Sequence, residues 1–139
     1  MSKNNTVQTT MSVVCITNDG DNPSYFGKRD IELNGDDQRV LSEQISAVNF
    51  RLRESPSSYV SGWHVAGDPT LLIILSGSIV IELRNGQSKQ FVSGDMFVAE
   101  DFIAKDETFD GEKHGHRACV IDNEKLVALH LKLSKRAET

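Results

Sequence analysis

Two of the chain's four histidines stand where an imidazole could do chemistry. His64 lies in the string WHVAGDPT, residues 63–70, beside the single tryptophan and just ahead of the apolar run LLIIL. His116 ends the string HGH, residues 114–116, and opens HRACVI, which reads as a strand. An imidazole changes charge near neutral pH, so two of them in an apolar pocket can serve as acid and base. They can also polarise a carbonyl, stabilise an enolate or ligate a metal. The bland alternative is a packed ring bonded to a backbone carbonyl. His114 and His130 read as solvated strand positions. Trp63 is a pocket wall or plain core. Glu100 and Asp101 close the string FVAED, where a carboxylate can orient a histidine or cap the following loop.

These residues need a scaffold, and the composition bounds it. A chain of 139 residues with 38% hydrophobic and 25% charged residues reads as one globular domain. The net charge of -5 and the lack of a Lys/Arg cluster argue against nucleic acid or an anionic membrane as partner. Cys15 and Cys119 form neither a disulfide framework nor a metal knuckle, and read as two reduced thiols. No signal-peptide pattern is seen, and the longest apolar run is too short to cross a bilayer. A cytoplasmic protein is the default expectation. No GxGxxG, GxxxxGK[ST] or GxSxG string occurs.

The pattern is one of short strands. Residues 1–12 read as loose, and NDGDNPS at 18–24 as a turn. RVLSEQI is a short helix or an edge strand. Val48, Phe50 and Leu52 alternate with Asn49, Arg51 and Arg53, as in a half-buried strand. SIVIELR ends at Asn85-Gly86, a type I′ hairpin signal. Near the end, Val127, Leu129, Leu131 and Leu133 share one face, with His130 and Lys132 on the other. Many short strands without a long amphipathic helix predict an all-β sandwich or barrel.

The strings GWHVAGDPTLLIILSG, VSGDMFVAED and HGHR, in this order with hairpin glycines between, resemble the small single-domain cupins. The resemblance covers roughly residues 62–120. It implies an all-β double-stranded β-helix, a jelly-roll β-barrel, over the whole chain as one domain with a core at about 46–133. It further implies N-terminal strands that extend a sheet, and a homodimer. Counting back from Gly77, the motif's first histidine falls on His64, its second on Ala66 and its glutamate on Thr70; His116 matches the second motif. Where metal cupins supply three histidines and a glutamate, this chain offers His64 and His116.

His64 and His116 are therefore the candidate catalytic pair, with Trp63, Thr70, Glu100 and Asp101 as candidate pocket residues. The expected function is a metal-independent or weakly metal-assisted isomerase, cyclase, dehydratase or lyase. Its substrate would be a small, mostly apolar carbonyl compound. No cofactor is required on this reading, and a divalent metal (Fe, Mn, Ni or Zn) would be held by His64 and His116. The alternatives are a metal-dependent Fe/Mn dioxygenase and a non-catalytic small-ligand-binding cupin. The long loop between Asp101 and His116 is a candidate lid. No Lys or Arg is expected at the site of the two histidines, which speaks against a nucleotide-sugar or polyphosphate substrate.

Overall fold

The computed structural model describes residues 5–134 and contains only strands, turns and loops over them. The strands are β1 (Thr6–Thr17), β2 (Tyr25–Asp36), β3 (Val40–Ser42), β4 (Ala47–Ser55), β5 (Thr70–Ser76), β6 (Ser78–Leu83), β7 (Ser88–Val92), β8 (Met96–Ala99), β9 (His116–Ile121) and β10 (Leu126–Leu133). They form a seven-stranded sheet, order β3-β2-β1-β8-β5-β10-β4, and a three-stranded sheet, order β7-β6-β9. The segment 59–64 adds a fourth, irregular rank beside β9 through the bridges Val60–Cys119 and His64–His116. The ranks β4-β10-β5-β8 thus face 59–64, β9, β6 and β7, which is the strand pairing of a jelly roll. The all-β jelly-roll arrangement expected from the motifs is the one the chain adopts.

The core lies between the two sheets. Alternate residues of β6 (Ile79, Ile81, Leu83) meet Ile74 of β5, Phe97 of β8 and Leu126 and Ala128 of β10. Phe91 and Phe97 stack with ring centroids 4.2 Å apart. Burial of this apolar area from both sheets is the main stabilising term. A second cluster covers the outer face of the large sheet, where Val13, Cys15, Val98 and Leu133 pack with Leu71, Met96 and Leu131.

Three expectations are corrected here. Residues 6–12, read as loose, belong to β1, which pairs with β2 over its whole length; residues 1–4 lie outside the described residues. The core likewise starts earlier than 46, because β1 runs parallel to β8 and buries Ile16 completely. At Asn85-Gly86 the positive φ falls on Gly86 alone (88°), so the hairpin is not type I′. Positive φ at two successive residues occurs instead at Asp122 (68°) and Asn123 (51°), between β9 and β10. The ambiguous RVLSEQI segment contains β3, a short edge strand on β2.

β4 inverts its own pattern. Its apolar row is exposed, with Val48 at 61% and Phe50 and Leu52 each at 64%. Its polar row, Asn49, Arg51 and Arg53, is exposed too, and lines an open basin on the His130 side of the large sheet. β4 is the terminal strand of its sheet, so burial does not dictate which row turns inward. β10 obeys the predicted alternation, but His130, expected in solvent, lies on the inward face and lines the cavity.

Candidate functional site

Backbone pairing brings the two histidines together. His64 and His116 exchange both backbone hydrogen bonds, at 3.0 and 2.9 Å. Residues paired this way project their side chains to the same side of the sheet, and the ring centroids lie 4.5 Å apart. Gly115 makes the approach possible. Its φ is +91°, and a Cβ there would fall 2.6 Å from the His64 carbonyl oxygen. A side chain at 115 would force the two segments apart.

His116 is 4% exposed, and its Nδ1 lies 2.7 Å from Oδ2 of the fully buried Asp101. Asp101 also accepts bonds from the Ser24 hydroxyl (2.6 Å) and the Ala66 amide (2.9 Å). Burial alone would raise the Asp101 carboxyl. The bonds from His116, Ser24 and Ala66 outweigh it and hold the group below the ordinary carboxylate range. Asp101 is therefore a carboxylate that only accepts, and Nδ1 of His116 carries the proton. Nε2 of His116 has no protein partner, and among the described residues no buried side-chain nitrogen lacks a hydrogen bond. Nε2 therefore reaches open space, and the ring lines a cavity of about 240 Å³. His64 is more exposed; its Nδ1 donates to the Gly62 carbonyl at 2.9 Å, and its ring lines the same cavity. A carboxylate that fixes a histidine's tautomer and aims its other nitrogen is a recurrent device for proton transfer.

The cavity walls are mostly apolar, with Leu72, Ile79, Ile81, Phe97 and Leu126 among them. Thr70 and Ala66 also line it, at the places the cupin motif gives to a glutamate and a histidine. A metal centre needs three or four protein ligands. Among the described residues no three His, Cys, Asp or Glu side chains are grouped to hold one. A methyl and a hydroxyethyl group stand where two ligands would, so this donor set does not fit a cupin metal.

Two candidate pocket residues lie elsewhere. Trp63 alternates with His64 and points away from the cavity, between the guanidinium groups of Arg84 (4.1 Å) and Arg117 (4.9 Å). Glu100 alternates with Asp101 and pairs with Arg29 at 3.1 Å. The loop 102–115 lines no part of the cavity. Asn18 holds the Phe102 backbone through two bonds of 2.8 and 2.9 Å. His114, 3% exposed, accepts the Asp110 amide at Nδ1 (2.8 Å) and reaches Asp21 Oδ1 through Nε2 (2.8 Å). In this structure the loop is strapped to the 18–24 turn and does not roof the pocket.

The sequence reading missed Arg53, Tyr59 and His130, which all line the cavity. Arg53 lies over the Tyr59 ring at 5.1 Å. Burial first, then Arg53 and Arg51, hold His130 below the ordinary imidazole value. The expectation that no Lys or Arg lies near the histidines is thereby overturned: the cation comes from β4, distant in sequence. Cys15, by contrast, is an inert thiol, pushed up to about 11 by burial and then by Glu100.

No family model and no curated protein matches the chain. Solved structures similar to it include a cupin superfamily protein from Desulfitobacterium hafniense, 14% identical, covering 96% of this chain and 82% of that one with a TM-score of 0.40. A cupin domain from Bordetella pertussis is 10% identical over 96% of this chain and 98% of its own, with a TM-score of 0.41. A conserved protein of unknown function from Streptococcus pyogenes is 16% identical over 68% of this chain and 70% of its own, with a TM-score of 0.45. At these identities the likeness does not reach the chemistry of the site.

Proposed function

We propose that this cupin-fold protein is a small-molecule enzyme of the isomerase, cyclase, dehydratase or lyase kind, metal-independent or weakly metal-assisted, with His64 and His116 as its proton-transfer pair. The observation that carries the reading is the Asp101–His116 bond of 2.7 Å, which leaves Nε2 of His116 open to an apolar-walled cavity. In such a site a carbonyl compound lies against the apolar wall. Nε2 of His116 accepts a proton from the carbon next to the carbonyl, and Asp101 stabilises the imidazolium that forms. A protonated His64, one ring away, hydrogen-bonds the developing enolate oxygen and donates its proton there. Return of the proton from His116 to a different carbon, while the enol oxygen gives its proton back to His64, completes an isomerisation; departure of a β-substituent protonated by His116, with the same return to His64, completes an elimination.

The test is a turnover assay against a panel of small carbonyl metabolites, run with His64→Gln and His116→Gln. Loss of turnover with ligand affinity retained supports an enzyme. A second reading, a non-catalytic ligand-binding module, is favoured by the mostly apolar lining; it gains if bound metabolites are found and none is turned over. Stoichiometric iron, manganese or nickel in protein purified without a chelating column would displace the proposal. A homodimer in the cytoplasm belongs to the same proposal. The outward apolar row of β4 (Val48, Phe50, Leu52) supports pairing, and light scattering of the eluted protein tests it.

A further inference from the structure

The cavity that holds the two histidines opens into an outer basin of about 590 Å³, and the two share Arg53, Thr70 and His130 as walls. Strand register arranges the basin's floor. Arg51 stands opposite His130, which stands opposite Leu72; Asn49 and Lys132 form the next row, with Thr70 beyond. Arg51, Arg53 and Lys132 thus line one concavity with His130 among them, and no Asp or Glu lines either space.

That distribution is unusual for this chain, which has 20 acidic against 15 basic residues. Elsewhere five cations find acids: Lys28 with Asp30, Arg29 with Glu100, Arg117 with Glu82, Lys113 with Asp21 and Lys125 with Glu54. Among the described residues Arg39, Arg84, Lys89 and Lys105 form no ion pair, but they are scattered over the surface and do not line this space. No ion pair is formed by Arg51, Arg53 or Lys132 among the described residues. Both rows of β4 are exposed, but strand register puts the cationic row on the side of His130 and Ala128, and so on the basin. A concave surface of one charge sign beside an apolar-walled cavity concentrates ions of opposite sign.

We infer that the ligand of this cavity carries an anionic group, a carboxylate or a phosphate, which docks on Arg51, Arg53 and Lys132 at the mouth while its apolar remainder reaches in toward His64 and His116. The inference rests on the proposed use of the cavity as a substrate site and adds the substrate's class. The guanidinium of Arg53, at the junction of the two spaces, offers the planar fork that grips two oxygens of one such group.

The test uses hexanoate, its uncharged counterpart hexanamide, and inorganic phosphate as probes, with binding read by calorimetry and by the ring-proton shifts of His64 and His130. Hexanoate should bind wild-type protein roughly tenfold or more tightly than hexanamide, the scale of a charge-assisted hydrogen bond. The preference should fall with added salt and vanish in the Arg51→Gln/Arg53→Gln double variant. Arg117→Gln, whose guanidinium pairs with Glu82 outside the cavity, should keep it. Phosphate that competes with hexanoate assigns a phosphate group; hexanoate preference without phosphate competition assigns a carboxylate. Equal binding of hexanoate and hexanamide by wild-type protein, with no phosphate binding, overturns the inference. His116→Gln separates it from the catalytic proposal. That variant should keep the anion preference while losing turnover, so a protein that turns over neutral carbonyl compounds but shows no anion preference refutes only the present inference.

Discussion

His114 and His116 are two residues apart, both buried (3% and 4% exposed), and each is bonded to an aspartate. Their second nitrogens differ. In His114 both are committed: Nδ1 accepts the Asp110 amide, and Nε2 donates to Asp21. In His116 only Nδ1 is committed, and Nε2 opens on the cavity. Burial and a carboxylate partner do not make a histidine reactive. An unassigned lone pair facing a space that a ligand can enter does, and here the one glycine between the two rings, Gly115, reverses the direction in which the chain presents them.

Substitution of the two histidines is the strongest way to break the comparison. His116→Gln should lower turnover by roughly 10²- to 10⁴-fold, the usual contribution of a positioned base, with the fold retained. His114→Gln should leave turnover near wild type and lower the melting temperature, because a buried amide and the strap to Asp21 lose their partner, costing about 1–3 kcal/mol. Equal losses of turnover in both would erase the distinction. Asp101→Asn is next in size. It removes the charge that His116, Ser24 and Ala66 converge on, and should cost on the order of 3 kcal/mol of stability. Turnover should fall with it, since an amide at 101 can reverse the His116 tautomer; denaturant melts and rate assays on one preparation check both. Gly115→Ala should cost roughly 2 kcal/mol or more through backbone strain and the clash with the His64 carbonyl, and it should weaken the nuclear Overhauser contact between the rings.

The pH dependence of stability should be smaller and should fall in two windows. His130 has a depressed imidazole, so the unfolded chain binds its proton more readily. Stability should begin to fall as pH drops below about 6.5, the unfolded value. Asp101 has a depressed carboxyl, so its contribution is present above about 3.9 and is lost as pH falls through its lower folded value. His130→Gln should remove the first step and leave the second. The smallest effect belongs to Asp21, held below the ordinary range by Lys113 and then His114 at the surface. Asp21→Asn should shift stability only slightly.

The meeting of the two histidines was legible because two glycine-bounded motifs carried them in the right order. What the motifs did not carry depended on strand parity. Trp63 and His64 are adjacent, as are Glu100 and Asp101, and in each couple one residue enters the site and the other leaves it. Nothing in local composition separates Asp101 from Glu100; the register of β8 against β5 and β1 does. β4 was misread for a firmer reason. Alternation of apolar and polar residues predicts apolar inward, and an edge strand over an open cavity is where that rule loses its force. Arg53 and His130 were missed with it, because the pairing of β4 with β10 joins segments far apart in sequence.

The central claim concerns where two protons sit, and ¹⁵N NMR of the histidine rings above neutral pH reads that directly. The hydrogen bonds predict opposite tautomers: His116 protonated at Nδ1 with a bare Nε2, and His114 protonated at Nε2 with a bare Nδ1. A His116 ring protonated at Nε2, or two rings in the same tautomer, would contradict the account.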